Sequence, residues 1–229
     1  MPPLAALGVT DPVPDPRLEI FKLASAIGEN DNWGGGAATT AVFAQVGAFA
    51  LATGASRDAA LYWPALTAGN HSIQISGVAG ATGAVLAEIY DATPGGDFTT
   101  TTPRLINGSV LKHIGPGLSV GFVIGGVGPK SVLIRAIGPE LVAFGVGDAL
   151  ADPQLELFDG AGLSLGSNDN WGGTQRLEST FVQVGAFALP SGSRDAALLM
   201  LLPPGNYSTL VRGAGGTTGS ALIEIYEVP

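Results

Sequence analysis

The sequence predicts an all-β protein made of two tandem β-sandwich units with a jelly-roll-like character, the first of which lacks its N-terminal strands. Three observations lead to this fold class. Only 13% of the 229 residues are charged, while 35 are glycine and 16 are proline, a composition typical of short strands joined by tight turns. Long blocks of sequence occur twice. Strand-like runs are short and end at Gly, Pro, Asn or Asp.

The repeat is evident from blocks that recur in the same order along the chain. The stretch NDNWGG occurs at Asn30–Gly35 and at Asn168–Gly173, and QVGAFAL occurs at Gln45–Leu51 and Gln183–Leu189. SRDAAL also recurs, and GNHSIQISGVAGATGAVLAEIY is matched by GNYSTLVRGAGGTTGSALIEIY at a nearly constant offset. The chain therefore carries two copies of one structural unit.

The two copies differ in length. Arg104–Gly138 precedes the second copy, and the first copy has no matching segment, since Met1 aligns with Gly138. We therefore predict an incomplete unit over 1–91, a Thr/Gly/Pro linker over 92–103 and a complete unit over 104–229. Three explanations are open: the sequence is cut from a longer array, the missing strands come from a neighbouring molecule, or the segment 104–138 serves both units.

The complete unit contains a series of strand-like runs. LELF and LIEIY alternate apolar and acidic residues, which predicts that Glu156 and Glu224 point outward. SVLIRAIG and LLMLLPPG are continuously apolar, as expected for central strands. Helices are predicted at 139–144 and 174–184, and a hairpin turn at Phe158–Gly162. The predicted strands are Leu105–Leu111, Ser119–Ile124, Ser131–Ile137, Gln154–Phe158, Ala196–Leu202, Tyr207–Arg212 and Ser220–Tyr226.

Charge and cysteine content exclude several classes of function. The formal net charge is −9 with only 10 lysines and arginines, which disfavours nucleic acid and anionic membranes as partners. Cysteine is absent, which excludes disulfides, thiolate metal sites and a cysteine nucleophile. No apolar run is long enough to predict a membrane span. The start MPPLAALGVT lacks the features of a signal peptide, so an export signal is expected outside this chain.

The NDNW loops are candidate calcium sites. Their side chains carry the hard oxygen ligands that Ca²⁺ prefers, and the six candidates are Asn30, Asp31, Asn32, Asn168, Asp169 and Asn170. Asp159 in the adjacent hairpin is predicted to add a carboxylate to the second loop, whereas Lys22 occupies the corresponding place in the first copy. The alternative is a structural turn in which these side chains bond local backbone groups, and no DxDxDG spacing is present.

Trp33 and Trp171 are candidate ligand-binding residues under a second hypothesis. An exposed tryptophan beside a polar loop can stack on a sugar ring, which makes polysaccharide the predicted ligand. The alternative is that each ring plugs the end of its sandwich and donates its indole N–H to a loop carbonyl. Solvent exposure of the two rings distinguishes the hypotheses.

No catalytic constellation is found in the sequence. His71 and His113 are not equivalent between the copies, and two histidines cannot build a three-histidine zinc site. GGVGPKS at Gly125–Ser131 and GAGGTTG at Gly213–Gly219 imitate nucleotide-binding loops, but a strand follows each of them where those loops need a helix. We therefore predict a protein that is not an enzyme.

The order of these motifs resembles a known family. DPQLELFDGAGLSLGSNDNW at Asp152–Trp171, followed by PPGNYSTLVRGAGGTTGSALIEIYE at Pro203–Glu227, is similar to the bacterial pre-peptidase C-terminal class of β-sandwich modules. With GFVIGGVGPKSVLIRAIGP and QVGAFALPSGSRDAAL included, the whole unit resembles more closely a repeat of large secreted proteins from Verrucomicrobia-type bacteria. The resemblance implies an extracellular, non-catalytic module. Some relatives of the pre-peptidase class bind calcium, although ALIEIYEV here replaces that class's last strand.

These observations together predict an extracellular or cell-surface bacterial repeat protein with a structural or assembly role. Because the first unit is incomplete, we expect self-association by strand complementation or by head-to-tail contacts that build a filament. The alternative is a carbohydrate-binding or adhesive accessory module of a secreted protein.

Overall fold

The computed structural model describes residues 4, 9–51, 53–99 and 101–229. The chain divides into two compact units, Met1–Leu105 (unit 1) and Ile106–Pro229 (unit 2). The described residues form short antiparallel strands and two α-helices, so the all-β prediction is confirmed. The strands are β1 Pro16–Lys22, β2 Ser25–Asn30, β3 His71–Gly77, β4 Asn107–Ile114, β5 Leu118–Ile124, β6 Lys130–Ile137, β7 Pro153–Asp159, β8 Ser164–Asn168, β9 Ala196–Leu202, β10 Gly205–Gly213 and β11 Gly219–Val228; the helices are α1 Ala37–Val46 and α2 Gln175–Val184.

Unit 2 is a sandwich of two four-stranded antiparallel sheets. One sheet has the order β5-β10-β7-β8 and the other has the order β4-β11-β6-β9. Alternate residues of both sheets meet in one buried cluster that includes Leu155 and Val211 from the first sheet and Ile134 and Ile223 from the second. This cluster is the core that holds the two sheets together.

Strand β6 is central and buried on both faces. It pairs with β11 on one edge and with β9 on the other. Val132, Ile134 and Ala136 face the core between the sheets, while Leu133 and Ile137 belong to a second buried cluster. Burial on both faces explains why this strand is continuously apolar in the sequence.

The second cluster lies under helix α2, on the outer face of the sheet that contains β6. Phe181 of α2 is buried there together with Trp171 and Tyr226. The helix ends at Gly185, whose left-handed backbone (φ 72°) lets its N–H bond the carbonyls of Phe181 and Val182. The predicted helix at 174–184 is thus confirmed, and the one at 139–144 forms as the 3-10 helix Pro139–Phe144.

Unit 1 retains only part of this sandwich. Its strands form one sheet with the order β2-β1-β3, which corresponds to β8-β7-β10 of unit 2. The counterparts of β9 and β11 lie at 59–65 and 83–92, and within these ranges no strand forms. In unit 2 both of those strands pair with β6, and the described residues of unit 1 contain no counterpart of β6 to join them.

The incomplete sandwich leaves apolar side chains of unit 1 exposed. Tyr90 is 40% exposed and Val85 is 43% exposed, whereas their counterparts Tyr226 and Ala221 are 7% and 0% exposed. Phe49 is 51% exposed. The predicted equivalence of Met1 and Gly138 falls outside the described residues, because Met1–Pro3 are not among them. The second sheet is therefore what unit 1 lacks among the residues that the structure describes.

One prediction and one of the three open explanations need correction. Glu224 does not point to solvent, because α2 covers the outer face of its sheet and leaves the residue 5% exposed. The segment 104–138 cannot serve both units at once through β6, because both edges of that strand are already paired within unit 2. Strand β8 was missed because SLGSN is short and polar. Among the described residues, no helix has the length and apolarity needed to cross a membrane.

Candidate functional site

The two NDNW loops have the same internal hydrogen bonds. In unit 2 the Asn168 amide donates to the carbonyl of Asn170 (2.9 Å), and its Oδ1 accepts the N–H of Ala197 (2.9 Å). In unit 1 Asn30 makes the equivalent bonds, to the Asn32 carbonyl at 3.0 Å and from the Ala60 N–H at 3.0 Å. Each asparagine thus ties the end of a β-hairpin to the segment of β9 type, as expected for a structural turn.

Asp159 does not lie beside the second loop, which contradicts its predicted role as a helper ligand. In the β7–β8 register Asn168 pairs with Leu155, while Asp159 lies at the opposite, turn end of the hairpin. Asp159 lies four strand residues beyond Leu155, the partner of Asn168, which is a distance of roughly 13 Å along the strand. One calcium ion cannot bridge this distance. The Asp159 carboxylate instead accepts the N–H groups of Ala161 and Leu163, both at 2.9 Å, and closes the turn.

Asp31 and Asp169 lie on equivalent polar clefts, of about 420 Å³ in unit 1 and about 400 Å³ in unit 2. Within the described residues, no group of three or more His, Cys, Asp or Glu side chains is placed to hold a metal ion. Calcium binding by these loops therefore stays a prediction, with fewer ligands than the sequence suggested.

Each cleft contains one arginine, but the two units place it on opposite strands. Arg17 of β1 stands across from Ser76 of β3 in unit 1. Arg212 of β10 stands across from Gln154 of β7 in unit 2, so the arginine has moved to the facing position. Arg17 contacts Glu19 at 3.2 Å, and Arg212 contacts the equivalent Glu156 at 3.1 Å. The position of the positive charge is retained although the residue that carries it differs.

The tryptophan rings face the protein rather than open solvent. Trp171 is 2% exposed, and its indole N–H donates to the carbonyl of Pro190 (2.9 Å). Trp33 is partly buried, and its indole N–H donates to the carbonyl of Thr53 (2.9 Å). Trp171 offers no exposed ring face for a sugar, so its geometry favours the packing alternative over polysaccharide binding.

A buried arginine at the centre of unit 2 is the most elaborate polar arrangement in that unit. The Arg135 guanidinium is fully buried and lies over the rings of Phe181 and Phe187, 4.8 and 4.4 Å from their centroids. Its Nε and Nη2 lie 2.8 and 2.6 Å from Oε2 of Glu224, and Nη1 donates to the Phe187 carbonyl at 2.5 Å. The Tyr226 hydroxyl donates to the other Glu224 oxygen at 2.8 Å.

These contacts enclose the guanidinium in what we call the arginine cage, formed by Phe181, Phe187, Glu224 and Tyr226. The two ring faces attract the cation, and one carboxylate oxygen accepts the Nε–H of the guanidinium with Nη2 within ion-pair distance. Burial, reinforced by the Glu224 charge, holds the pKa of the Tyr226 hydroxyl far above its usual range. The cage therefore keeps a charged pair inside an otherwise apolar cluster.

Unit 1 contains the same residue types at the equivalent positions of the cage. The repeat alignment places Phe43 at Phe181, Phe49 at Phe187, Glu88 at Glu224 and Tyr90 at Tyr226. Phe43 lies 5.7 Å from Trp33, as Phe181 lies 5.4 Å from Trp171. The two units thus share the four residue types of the cage. The strand that carries Arg135 precedes the aligned blocks, so the alignment gives it no counterpart among the described residues of unit 1.

The residue directly after β6 is bound by an aspartate that also has an equivalent in unit 1. In unit 2 the fully buried Asp195 accepts the N–H of Gly138 (2.7 Å) and bonds the Ser193 hydroxyl. Asp58 bonds Ser56 in the same way in unit 1, and its carbonyl accepts the Trp33 N–H at 3.0 Å. The position equivalent to Gly138 is Met1, which lies outside the described residues.

Sequence reasoning missed the arginine cage. A signal was present, since one arginine interrupts the apolar run SVLIRAIG and one glutamate interrupts LIEIY. An arginine within a strand predicted to be central indicates a buried pair with an opposite charge, because an unpaired charge is costly there. In the structure Arg135 and Glu224 are direct cross-strand partners.

Comparisons with known proteins give loose structural similarity and no match in sequence. No protein-family model matches the sequence, and no curated protein sequence matches it. Among solved structures, the chain is similar to the pre-peptidase C-terminal domain of a collagenase from Bacillus anthracis, with 10% sequence identity and a TM-score of 0.33. The match covers 52% of this chain and 89% of that chain. The sandwich assignment rests on the strand pairing itself.

Proposed function

We propose that this protein is a non-catalytic structural repeat module that assembles with other units of the same repeat by strand complementation. The observation that carries the proposal is a set of exposed apolar side chains in unit 1, which we call the open face and define by Phe49, Val85, Leu86, Ile89 and Tyr90. Each of these side chains is at least 40% exposed. A surface of this kind on an incomplete sheet is a site for added strands.

The strand pairing of unit 2 supports one kind of partner. There, the segment spanning β4 to β6 supplies strands to both sheets, and β4 and β6 pair with the two edges of β11, the strand equivalent to 83–92 of unit 1. The partner is therefore a segment of the type Asn107–Ile137 from another repeat unit, carried on the same polypeptide or on a second one.

The number of strand segments that a chain can donate limits its self-association. Each chain carries one Asn107–Ile137 segment and two units that can accept it, and unit 2 already holds it. A second copy that gave its segment to unit 1 would open its own unit 2, with no net gain in pairing. We therefore expect tight association only with an additional segment, and weak association of the chain with itself through the open face. A head-to-tail filament needs a longer array that brings spare segments.

The experiment adds the missing strands in trans. The full chain is mixed with a polypeptide of the sequence Asn107–Gly138, and the mass of the complex is measured by sedimentation. A 1:1 complex supports the proposal, and a chain that stays alone at high concentrations of both partners overturns it. Val85→Asp places a charge in the open face and is expected to block the complex. Val127→Asp, at a fully exposed valine of unit 2, is the matched control.

The location that we propose is extracellular or on the cell surface of a bacterium. Its support is the resemblance of the whole unit to repeats of large secreted proteins. Fractionation of the source cells, with detection of the protein outside the cytoplasmic fraction, tests this location. Recovery solely with cytoplasmic markers would contradict it.

A further inference from the structure

Four side chains of unit 1 match an arginine-binding arrangement seen in unit 2. Phe43, Phe49, Glu88 and Tyr90 are identical in type to the four residues that enclose Arg135. The described arginines of unit 1 are engaged elsewhere: Arg17 contacts Glu19 and Glu29, Arg57 contacts Asp15, and Arg104 lies over Phe98.

The carboxylate and the phenol of this set are already neighbours in unit 1. The pKa of Tyr90 is raised, by burial first and then by the charge and the hydrogen bond of Glu88. The same pairing of Tyr226 with Glu224 exists in unit 2, where the hydroxyl donates to the carboxylate at 2.8 Å. The carboxylate–phenol half of the cage is thus assembled in unit 1, and Phe49, the counterpart of Phe187, has a ring that is 51% exposed.

Packing alone does not account for these residue types. Glu88 is exposed, and Tyr90 and Phe49 remain 40% and 51% exposed within unit 1, whereas Tyr226 is 7% exposed in unit 2. Aromatic faces and a carboxylate together form a site for a guanidinium, because the rings attract a cation and the carboxylate accepts two parallel N–H bonds. In unit 2 the guanidinium enters this site from a strand that lies between β9 and β11.

We propose that Phe43, Phe49, Glu88 and Tyr90 form a receptor for the guanidinium of an arginine presented on an extended, apolar strand of the Lys130–Ile137 type. The inference rests on the proposed function, since it specifies which strand completes unit 1 and in which register. Glu88 fixes that register, because shifting the strand by one residue would turn the arginine to the opposite face. The receptor discriminates against apolar strands that lack the arginine, because Glu88 would then be covered without a counter-charge.

The test is a titration of the full chain with a labelled peptide of the sequence Lys130–Ile137, followed by fluorescence anisotropy. We expect the Arg135→Met version of the peptide to bind at least tenfold more weakly, since it loses the hydrogen bond and the charge pairing with Glu88. Glu88→Gln in the protein is expected to weaken the unaltered peptide about tenfold. Glu29→Gln, an exposed carboxylate in the same unit, is the matched control and is expected to leave binding unchanged.

A charge exchange separates recognition of arginine from a general effect on folding. Glu88→Arg should abolish binding of the unaltered peptide and restore binding of a peptide with Arg135→Glu. Equal binding of the arginine and methionine peptides would overturn the receptor while leaving strand complementation intact. If neither peptide nor the longer segment Asn107–Gly138 binds, the receptor and the proposed function both fail.

Discussion

The buried Arg135–Glu224 pair allows a sharp test of how unit 2 is stabilised. In Arg135→Met, Glu224 keeps its place inside the cluster but loses its counter-charge and retains the Tyr226 hydroxyl as its remaining partner in the cage. Breaking a buried ion pair by removing one partner destabilises a protein by about 3–5 kcal/mol. We expect a loss of this size in the free energy of unfolding of unit 2.

The double variant Arg135→Met, Glu224→Leu distinguishes the charge from the packing. With both charges gone, the added defect is the unpaired Tyr226 hydroxyl, which costs about 1–3 kcal/mol, while the Phe187 carbonyl loses its Arg135 donor in the single and the double variant alike. The double variant should therefore be more stable than Arg135→Met alone. If the two single losses simply add, the buried pair is not the source of the stability and our reasoning is wrong.

Urea unfolding monitored by tryptophan fluorescence provides the measurement. Trp171 is buried in the same cluster as the cage, and Trp33→Phe with Trp63→Phe removes the signal of unit 1. The control is Arg194→Met, because the Arg194 side chain is 65% exposed and contacts Asp152 at 3.3 Å. An exposed pair of this kind contributes at most about 1 kcal/mol.

Three further predictions concern the corners and loops. In chemical denaturation, Asp195→Ala should destabilise unit 2 by about 1–3 kcal/mol, because it leaves the buried Gly138 N–H without its acceptor. Asp58→Ala should have a smaller effect on unit 1, since Asp58 is only partly buried. Gly138→Ala should lower the melting temperature markedly, because its Cβ would lie 2.0 Å from the Leu150 carbonyl oxygen, whereas Gly128→Ala has open space and should not. A chelator should leave the melting temperature unchanged, since Asn168 is held by backbone groups. A clear downward shift would instead support calcium binding by the NDNW loops.

The sequence predicted those elements whose signals are local. The run Ala196–Leu202 is the strand β9 with the predicted bounds, and α2 follows the polar, then apolar, pattern of 174–184. The continuous apolar character of β6 correctly indicated a strand buried on both faces. Each of these features depends on a few consecutive residues and on the pattern of their apolar and polar side chains.

The errors arose where an element depends on distant neighbours. Alternation in LIEIY predicted an outward Glu224, but that argument assumes that one sheet face meets solvent, and α2 covers this face. Asp159 was placed near the second loop because it is close in sequence, whereas a hairpin separates its turn from its open end. The cage itself needs residues from β6, β11, α2 and the chain after α2.

The central position of β6 has a consequence for synthesis of the chain. This strand pairs with β9 and β11, which are translated well after it. The edge of β6 that pairs with β11 therefore stays unpaired until residues up to Val228 have been translated, so the second sheet of unit 2 closes only after its last strand has left the ribosome.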